Sequence, residues 1–173
     1  NGDVDMAISG FSWLPQRAER FELSDTYRTG NNSDNQLLLV PADRAEALDS
    51  PAAFAGLRIG AQAASLQEWL VSEQLPDGLC VPFEDLDQGL ALLQQGRIDA
   101  MAVAEGNAAA ILASQSEFTA ASFRFTVSEE LTDNLILLQK GNHELTEAVN
   151  ALLARAEAAG HYPKWYVQAL EQA

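Results

Sequence analysis

The stretch Val4-Asp5-Met6-Ala7-Ile8-Ser9-Gly10-Phe11-Ser12, followed by Pro15 and Arg17, decides the fold. Its first part, residues 4–8, is apolar and alternating, which predicts a buried strand. The residues after it form a short loop that is rich in hydroxyl groups and glycine. Pro15 then suits the first turn of a helix that carries Arg17, because its φ is already helical and its missing N–H is not needed there.

A strand end, a helix start and a guanidinium that converge in this way predict a site for a small anion. Serine hydroxyls and loop N–H groups donate hydrogen bonds, the helix N-terminus favours negative charge, and arginine binds a carboxylate through two parallel bonds. A second interpretation is that Arg17 is a solvated helix arginine in a surface ion pair, as most surface arginines are. The local pattern leaves both interpretations open.

Further along the chain, apolar strands alternate with helices. Ser65 and Glu68 fit a capping box at the start of a helix over residues 66–75, and Gly96 closes a leucine-faced helix over residues 84–95. This alternation predicts an α/β fold with mostly parallel sheets flanked by helices. The other predicted elements are strands at 37–40, 57–62, 79–83, 97–103, 123–127 and 135–138 and helices at 51–56, 105–114 and 144–159, with a polar loop at 28–36.

The composition is that of a folded, acidic protein. At 173 residues, with 47% hydrophobic and 20% charged residues, the chain is long enough for a substantial core and too apolar to be disordered. The net charge of −15 argues against nucleic acid and against an anionic membrane surface as partners, since no basic cluster is present to neutralise phosphates. No direct insertion into a membrane is predicted, because these residues contain no apolar run long enough to span one.

Neither a metal site nor a cofactor is predicted. The chain has one cysteine, Cys80, and no CxxC, HExxH or paired-histidine spacing. Cys80 lies in the apolar run Leu79-Cys80-Val81, which predicts a buried structural thiol rather than a nucleophile.

Several motifs, in order along the chain, resemble those of the bacterial extracellular solute-binding proteins of the polar amino-acid uptake type, the type II periplasmic binding proteins of family 3. The opening stretch is the first of them. The motif at 54–60 is similar to the family's passage into its second lobe, and the motif at 89–100 is similar to its helix-to-strand passage. The motif that begins at Gly160 is similar to its C-terminal signature. Those that follow the opening stretch read Arg17-Ala18-Glu19-Arg20-Phe21, Leu23-Ser24-Asp25-Thr26-Tyr27, Phe54-Ala55-Gly56-Leu57-Arg58-Ile59-Gly60, Gly89-Leu90-Ala91-Leu92-Leu93-Gln94-Gln95-Gly96-Arg97-Ile98-Asp99-Ala100, and Gly160 with Lys164-Trp165-Tyr166.

The resemblance implies an α/β fold of two lobes, with the chain crossing twice from one lobe to the other. Residues 1–36 and 139–173 would form lobe 1, residues 42–131 lobe 2, and residues 37–41 and 132–138 the hinge crossings. Lobe 1 would be incomplete, because the family's opening strand-helix-strand portion has no counterpart here. The family usually takes aromatic residues that stack on the ligand side chain from that portion.

The resemblance also implies which residues of lobe 1 bind a ligand. Ser9, Gly10 and Ser12 match the loop that contacts the ligand's ammonium and carboxylate groups, and Arg17 matches the arginine that holds the carboxylate. Phe11, beside this loop, would frame an apolar or aromatic part of the ligand.

In lobe 2, Ala64-Ser65 matches a pair at a helix N-terminus that donates to the same carboxylate. A simpler interpretation makes Ser65 only the N-cap of that helix, and the two roles are compatible. The chain departs from the family at Ala104, where the amino-acid binders have an aspartate that accepts the ligand's α-ammonium. Either Glu105 replaces that aspartate, or the ligand has no α-amino group, or binding has been lost.

The leading functional hypothesis is therefore a non-enzymatic, extracytoplasmic protein that binds a small carboxylate, an amino acid or a relative, for uptake through the membrane permease of an ABC transporter. The resemblance implies a periplasmic or extracellular location and a signal peptide that is removed before these residues. One alternative is a ligand-sensing module of a receptor kinase or a cell-wall enzyme. A further alternative is a dehydratase of cyclic acids, for which Glu105, Glu68 or Asp99 would have to serve as acid or base.

Overall fold

The chain divides into two units in the computed structural model, which describes residues 3–27 and 35–171, apart from the side chains at 129, 166 and 170. Unit 1 consists of Asn1–Asn32 and Ser128–Ala173, and unit 2 of Ser33–Val127. The α/β class and the two-lobed organisation expected from the sequence are confirmed. Most of the predicted polar loop, residues 28–34, lies outside the described residues.

The elements follow the predicted alternation. The strands are β1 Met6–Phe11, β2 Phe21–Leu23, β3 Gln36–Pro41, β4 Arg58–Gln62, β5 Leu79–Phe83, β6 Ala100–Ala104, β7 Phe118–Arg124 and β8 Leu135–Gln139. The helices are α1 Pro15–Arg20, α2 Leu66–Gln74, α3 Leu86–Gln94, α4 Glu105–Leu112, α5 Glu129–Thr132, α6 His143–Ala158 and α7 His161–Leu170. Two 3₁₀ helices, Ala42–Ala47 and Pro51–Phe54, connect β3 to β4. Within residues 3–27 and 35–171, none of the helices combines the length and the apolar composition needed to cross a membrane.

Unit 1 is built on a sheet of order β1-β8-β2 in which both strand pairs are antiparallel. Its core lies between β8 and α6, where Ile136 and Leu138 pack against Val149. α6 begins at Asn142, whose side chain accepts a hydrogen bond from the backbone N–H of Leu145 at 3.3 Å. This cap fixes the start of the helix that covers β8.

β1 differs from its prediction in burial. Residues 4–8 were expected to form a buried strand, but the side chains of Val4 and Ile8 are 65% and 62% exposed. β1 is an edge strand of the sheet, and α6 packs over β8 rather than over β1. The apolar alternation therefore predicted the strand correctly, while its burial depends on what packs against it.

Unit 2 is built on a sheet of order β5-β4-β6-β3-β7. Strands β5, β4 and β6 are parallel, as predicted, because α2 and α3 supply the crossover connections between them. The prediction of mostly parallel pairing needs correction elsewhere, since β3 pairs antiparallel with both β6 and β7. β3 is joined to β4, which is not its neighbour in the sheet, by the two 3₁₀ helices.

The two faces of β3 and β6 are covered by different helices. Leu37 and Leu39 of β3, with Met101 and Val103 of β6, belong to a core cluster that includes Ala108 of α4. Because side chains alternate along a strand, the residues between these belong to the opposite face, where α2 packs against β4 and β6. This alternation determines which polar residues at the strand ends can meet.

Candidate functional site

In unit 1, the loop that the sequence predicted as an anion site follows a bulge in β1. Ile8 pairs with Ile136 and Phe11 with Leu135, so that two residues of β1, Ser9 and Gly10, lie between adjacent pairs. A bulge of this kind bends the strand and changes the direction of the residues in it. The five residues proposed from lobe 1 are therefore brought together by the end of one strand and the start of the next helix: Ser9, Gly10, Phe11, Ser12 and Arg17.

Arg17 is held in position by the same loop with which it was expected to form an anion site. Its Nη1 donates a hydrogen bond to the carbonyl oxygen of Ser12 at 2.6 Å. Its guanidinium carbon lies 5.2 Å from the centroid of the Phe11 ring, within range of a cation–π interaction. Burial lowers the pKa of Arg17 from its ordinary value, since water is partly excluded from the charge. A positioned, partly desolvated guanidinium of this kind is well suited to a carboxylate.

α1 contributes less to this site than the sequence suggested. It has six residues, and its N-terminal flank, Leu14, makes no side-chain cap. Pro15 occupies the first turn, as predicted, and has no N–H to offer to an anion. An anion in this loop would therefore depend on the guanidinium and the loop amides as donors, and the helix dipole would contribute little.

Two residues that the sequence analysis missed hold the bulge. The hydroxyl of Tyr27 donates a hydrogen bond to the carbonyl oxygen of Ser9 at 3.2 Å. Tyr27 is paired through backbone hydrogen bonds with Asn134, whose Oδ1 lies 3.7 Å from the position that a Cβ on Gly10 would occupy. No local pattern marks these residues, because the pairing joins two distant parts of the chain.

In unit 2, the start of α2 has the expected cap with one difference. The Ser65 hydroxyl accepts from the backbone N–H of Glu68 at 3.1 Å, which confirms Ser65 as the N-cap. The Glu68 carboxylate accepts from the backbone N–H of Ala64 at 2.7 Å, rather than from that of Ser65 itself. The N–H groups of Leu66 and Gln67 follow, and their positions in the first turn give them no acceptor within the helix.

Ala64 and Ser65 therefore make separate contributions to this turn. Ala64 has a φ of 57°, which an L-residue adopts only at some cost, and its N–H is already bonded to Glu68. The Ser65 hydroxyl oxygen accepts from Glu68, so that its hydrogen is left for a further acceptor.

Glu105 is bonded to Asn35, the residue before β3. Its Oε2 accepts from the side-chain nitrogen of Asn35 at 2.7 Å, and its N–H donates to the Asn35 carbonyl at 3.1 Å. Glu105 directly follows Ala104, the last residue of β6, and is the first residue of α4. The sequence could not indicate this, because it gives the position of a residue but not its partner.

Gln36 and Gln67 are a second pair that the sequence analysis missed. Gln36 begins β3 directly opposite Ala104 of β6. Its side-chain Oε1 accepts a hydrogen bond from Nε2 of Gln67, in the first turn of α2, at 2.7 Å. The three residues thus meet on the α2 face of the sheet.

The other expectations about reactive groups were partly wrong. Cys80 is exposed in β5, at the edge of the sheet, and not buried as predicted. Neighbouring atoms still exclude part of the water around its sulfur, and this partial desolvation, with the charge of Glu68, raises the pKa of the thiol. Asp99 forms an ion pair with Arg58, in which Nε of Arg58 lies 3.0 Å from Oδ2 of Asp99. In the described part of the chain, no three side chains of histidine, cysteine, aspartate or glutamate lie close enough together to hold a metal ion.

The chain forms two units and passes between them twice, and polar loops lie at the ends of its strands. This organisation defines a two-lobed binding protein of the type II periplasmic class. The chain belongs to the bacterial extracellular solute-binding proteins, family 3, whose family model matches residues 1–172. Comparison with curated protein sequences gives no match.

Solved structures show the same fold. The amino acid ABC transporter substrate-binding protein AbpA from Streptococcus pneumoniae, bound to L-arginine, is 23% identical, with a TM-score of 0.77 over 98% of this chain and 69% of its own. An ancestral arginine-binding protein bound to arginine is 24% identical, with a TM-score of 0.78 over 96% of this chain and 72% of its own. The ancestral amino acid-binding protein AncCDT-1, a precursor of cyclohexadienyl dehydratase, is 24% identical, with a TM-score of 0.73 over 96% of this chain and 69% of its own. The chain therefore spans about 70% of the length of these structures.

Proposed function

We propose that this chain binds a small carboxylate, an amino acid or a relative, outside the cytoplasm and delivers it to the permease of an ABC transporter. The observation that carries this proposal is Arg17, a guanidinium that is fixed on the Ser12 carbonyl and against the Phe11 ring beside a bulged strand end. Membership of the extracellular solute-binding family supports the location and the transport role. The arginine bound to two similar structures supports an amino acid or a relative as ligand.

In the proposed mechanism, Arg17 holds the ligand carboxylate in unit 1 through two parallel hydrogen bonds, while hydroxyl and backbone groups of Ser9, Gly10 and Ser12 add further donors. The Ser65 hydroxyl and the first-turn amides of α2 contribute from unit 2 when the units close on the ligand. Charge-assisted bonds of about 1.5–3 kcal/mol each are sufficient for micromolar binding, which corresponds to about −8 kcal/mol.

We propose that closure bends the chain where it passes from unit 2 back to unit 1, at 127–128. The segments that the sequence analysis assigned to the hinges, residues 37–41 and 132–138, contain β3 and most of β8. Both strands are paired on two sides within their own sheets, so that bending there would break ladder hydrogen bonds.

The proposed activity is binding and not catalysis. An acid–base role for Glu105 would compete with its hydrogen bond from Asn35, and a role for Asp99 would compete with its ion pair to Arg58. The similarity to AncCDT-1, a precursor of a dehydratase, is the observation that favours the enzymatic alternative. Turnover of a cyclic acid that is lost in Glu105→Gln would favour that alternative over ours.

The experiment is a thermal-shift screen of the protein with small carboxylates and with their uncharged amides, followed by titration calorimetry on the hits. A ligand at about 100 times its Kd adds about 2.7 kcal/mol to the free energy of unfolding, which raises the melting temperature clearly. We expect carboxylates to bind, their amides to fail, and Arg17→Ala to abolish binding.

The matched control is Arg20→Ala, since Arg20 lies on the same helix and its guanidinium carbon is 5.9 Å from the centroid of the Phe21 ring. This variant should keep the affinity of the wild type. Circular dichroism on Arg17→Ala separates a lost ligand contact from a lost fold. Unchanged affinity in folded Arg17→Ala would refute the clamp, and failure of every carboxylate would refute the proposed ligand class.

A further inference from the structure

The side chain of Gln74, the last residue of α2, makes two hydrogen bonds to the backbone of one distant residue. Its Nε2 donates to the carbonyl oxygen of Thr126 at 2.7 Å, and its Oε1 accepts from the Thr126 N–H at 3.0 Å. Because the N–H can only donate and the carbonyl can only accept, one orientation of the amide alone satisfies both bonds. Opposed residues of antiparallel strands exchange bonds in the same way. Gln74 therefore holds Thr126 as a neighbouring strand would.

The α2 end of this contact is fixed by the core of unit 2. Leu70 and Val71, in the turn before Gln74, and Leu75, directly after it, are at most 1% exposed. The N–H of Leu75 donates to the carbonyl oxygen of Val71 at 2.9 Å, which completes the last turn of the helix. The backbone of Gln74 is therefore set by packing on the sheet, and its side chain reaches out from a rigid base.

Thr126, at the other end of the contact, lies where the chain is about to leave unit 2. β7 ends at Arg124, and the next residue, Phe125, is still bound to the sheet. The Phe125 N–H donates to the carbonyl oxygen of Gln36 at 3.3 Å, and its side chain is buried. Thr126 follows, and Val127 is the last residue of unit 2. The bonds to Gln74 thus extend the part of the chain that unit 2 holds by one residue beyond the sheet.

We propose that Gln74 is a positioning residue for closure, because it sets the point at which the chain leaves unit 2. With Thr126 held, bending is limited to residues 127–128. Without the two bonds, the bending segment lengthens towards Phe125, and the two units sample a wider range of relative positions. A smaller fraction of ligand-free molecules is then ready to close, and the apparent affinity falls by that fraction. This inference rests on the proposed function, since it requires that the units close on a ligand.

The test measures the distance between the units in ligand-free protein by double electron–electron resonance. One spin label is placed on Cys80, which is exposed in unit 2, and one on Leu152→Cys in α6 of unit 1, where Leu152 is 58% exposed. Gln74→Met keeps the length of the side chain and removes both bonds. We expect it to give a wider distance distribution than the labelled parent protein.

Hydrogen exchange provides the local readout for the same variant. Loss of the bond from the Thr126 N–H should make that amide exchange about tenfold faster, with the amides of β3 and β6 unchanged. The matched control is Gln94→Met, which removes a side-chain bond to Gln115 of 2.9 Å elsewhere in unit 2. The control should keep both the distance distribution of the parent and its exchange rate at Thr126.

A second variant keeps the test independent of whether Gln74→Met folds. Gln74→Glu keeps an acceptor for the Thr126 N–H but places a carboxylate oxygen against the Thr126 carbonyl, so that its distance distribution should lie between those of the parent and Gln74→Met. Faster exchange at Thr126 with an unchanged distance distribution overturns the positioning role and leaves the proposed function standing.

A further arm adds saturating L-arginine, the amino acid bound to two of the similar structures. We expect L-arginine to shorten and narrow the distance distribution of the parent and to bind Gln74→Met several-fold more weakly. Binding of L-arginine that leaves the parent distribution unchanged overturns closure, and with it this inference. If L-arginine does not bind, the ligand-free comparison still decides the role of Gln74, while the proposed ligand class is decided by the carboxylate screen.

Discussion

Ala64 and Glu68 are joined by a hydrogen bond of 2.7 Å from the backbone N–H of one to the carboxylate of the other. This bond holds Ala64 at a φ of 57° and completes the cap of α2. In the proposed function, a ligand carboxylate near this turn would therefore depend on the Ser65 hydroxyl and the amides of Leu66 and Gln67, rather than on the Ala64 N–H.

Glu68→Ala should therefore destabilise the protein by about 1 kcal/mol, the usual effect of losing a helix cap. Glu68→Gln should lose less, because an amide oxygen can still accept from Ala64. Chemical denaturation followed by circular dichroism measures both values. Equal stability of the wild type and Glu68→Ala would show that the cap does not stabilise α2.

Substitution of the two adjacent alanines by glycine tests the backbone at this turn. Ala64→Gly should be neutral or stabilising, because it relieves a positive φ that costs an L-residue about 1 kcal/mol or more. Ala63→Gly should destabilise by about 0.4–1 kcal/mol, since it only adds freedom to the unfolded chain. The comparison is made by thermal unfolding, and a larger loss for Ala64→Gly than for Ala63→Gly would contradict it.

Two helical glycines of unit 2 should respond in opposite directions to alanine. A Cβ on Gly89 of α3 would lie 2.7 Å from the Phe83 ring and 2.9 Å from Cε of Met101, whereas one on Gly106 of α4 meets nothing within 4 Å. Gly89→Ala should destabilise by about 1–3 kcal/mol through overpacking, despite its better helix propensity. Gly106→Ala should stabilise by up to about 1 kcal/mol. Denaturant midpoints, compared at a constant m-value, distinguish these effects. A stabilised Gly89→Ala variant would mean that α3 can shift away from the sheet and make room for the added methyl group.

The ion pair of Arg58 and Asp99 should make stability depend on acid pH. Nε and Nη2 of Arg58 each donate to Asp99 at 3.0 Å, and this hydrogen bonding lowers the pKa of the Asp99 carboxyl below its ordinary value. A carboxyl whose pKa is lower in the folded protein stabilises it above the unfolded pKa, about 3.9, and this stabilisation is lost as the pH falls through the folded pKa.

Asp99→Asn should therefore lose about 1 kcal/mol at neutral pH, with a smaller difference from the wild type below about pH 3. Urea unfolding from pH 2 to pH 7 measures the two curves. Asp133→Asn, which removes one carboxyl group from unit 1, is the control for the loss of a single negative charge. A constant difference between wild type and Asp99→Asn at every pH would show that the carboxyl charge is not responsible.

Tyr27→Phe tests whether the bulge in β1 must be held in place for binding. It removes the hydroxyl that donates to the Ser9 carbonyl and keeps the ring that packs against Tyr162. We expect less than about 1 kcal/mol of lost stability but a several-fold weaker affinity for the carboxylate ligand. The control is Tyr162→Phe, whose hydroxyl donates to Leu153 at 3.3 Å, away from the loop. Equal affinities in the two variants would remove Tyr27 from the site.

Local patterns predicted most of the elements. Ser65 and Glu68 indicated the start of α2, and Pro15 the start of α1, because caps and first-turn prolines depend on neighbours in sequence. β7 was misplaced: the alternating run at 123–127 predicted it, but the strand is Phe118–Arg124. There, pairing with β3 outweighed the local alternation.

The candidate site was predictable only in part. Ser9 to Arg17 form one continuous segment, so that their proximity follows from the sequence. The meeting of Gln36 with Gln67, and of Glu105 with Asn35, depends on strand register and on which helix covers which face. Glu105 looked like a substitute for a carboxylate at Ala104 because the two are adjacent, yet Glu105 begins α4 and its carboxylate accepts a hydrogen bond from Asn35.

The alternation of side chains along β3 also limits which sequence changes this strand tolerates. Leu37 packs into the core on one face of the sheet, while Gln36 meets α2 on the other. Inserting or deleting one residue in this strand would turn a leucine towards α2 and glutamine into the core, so that the packing on both faces of the sheet would be lost together. Side chains on the α2 face of β3 can therefore be exchanged at fixed chain length, and an engineer who varies only Gln36, Gln67 and Ala104 can leave the leucine face of the strand intact.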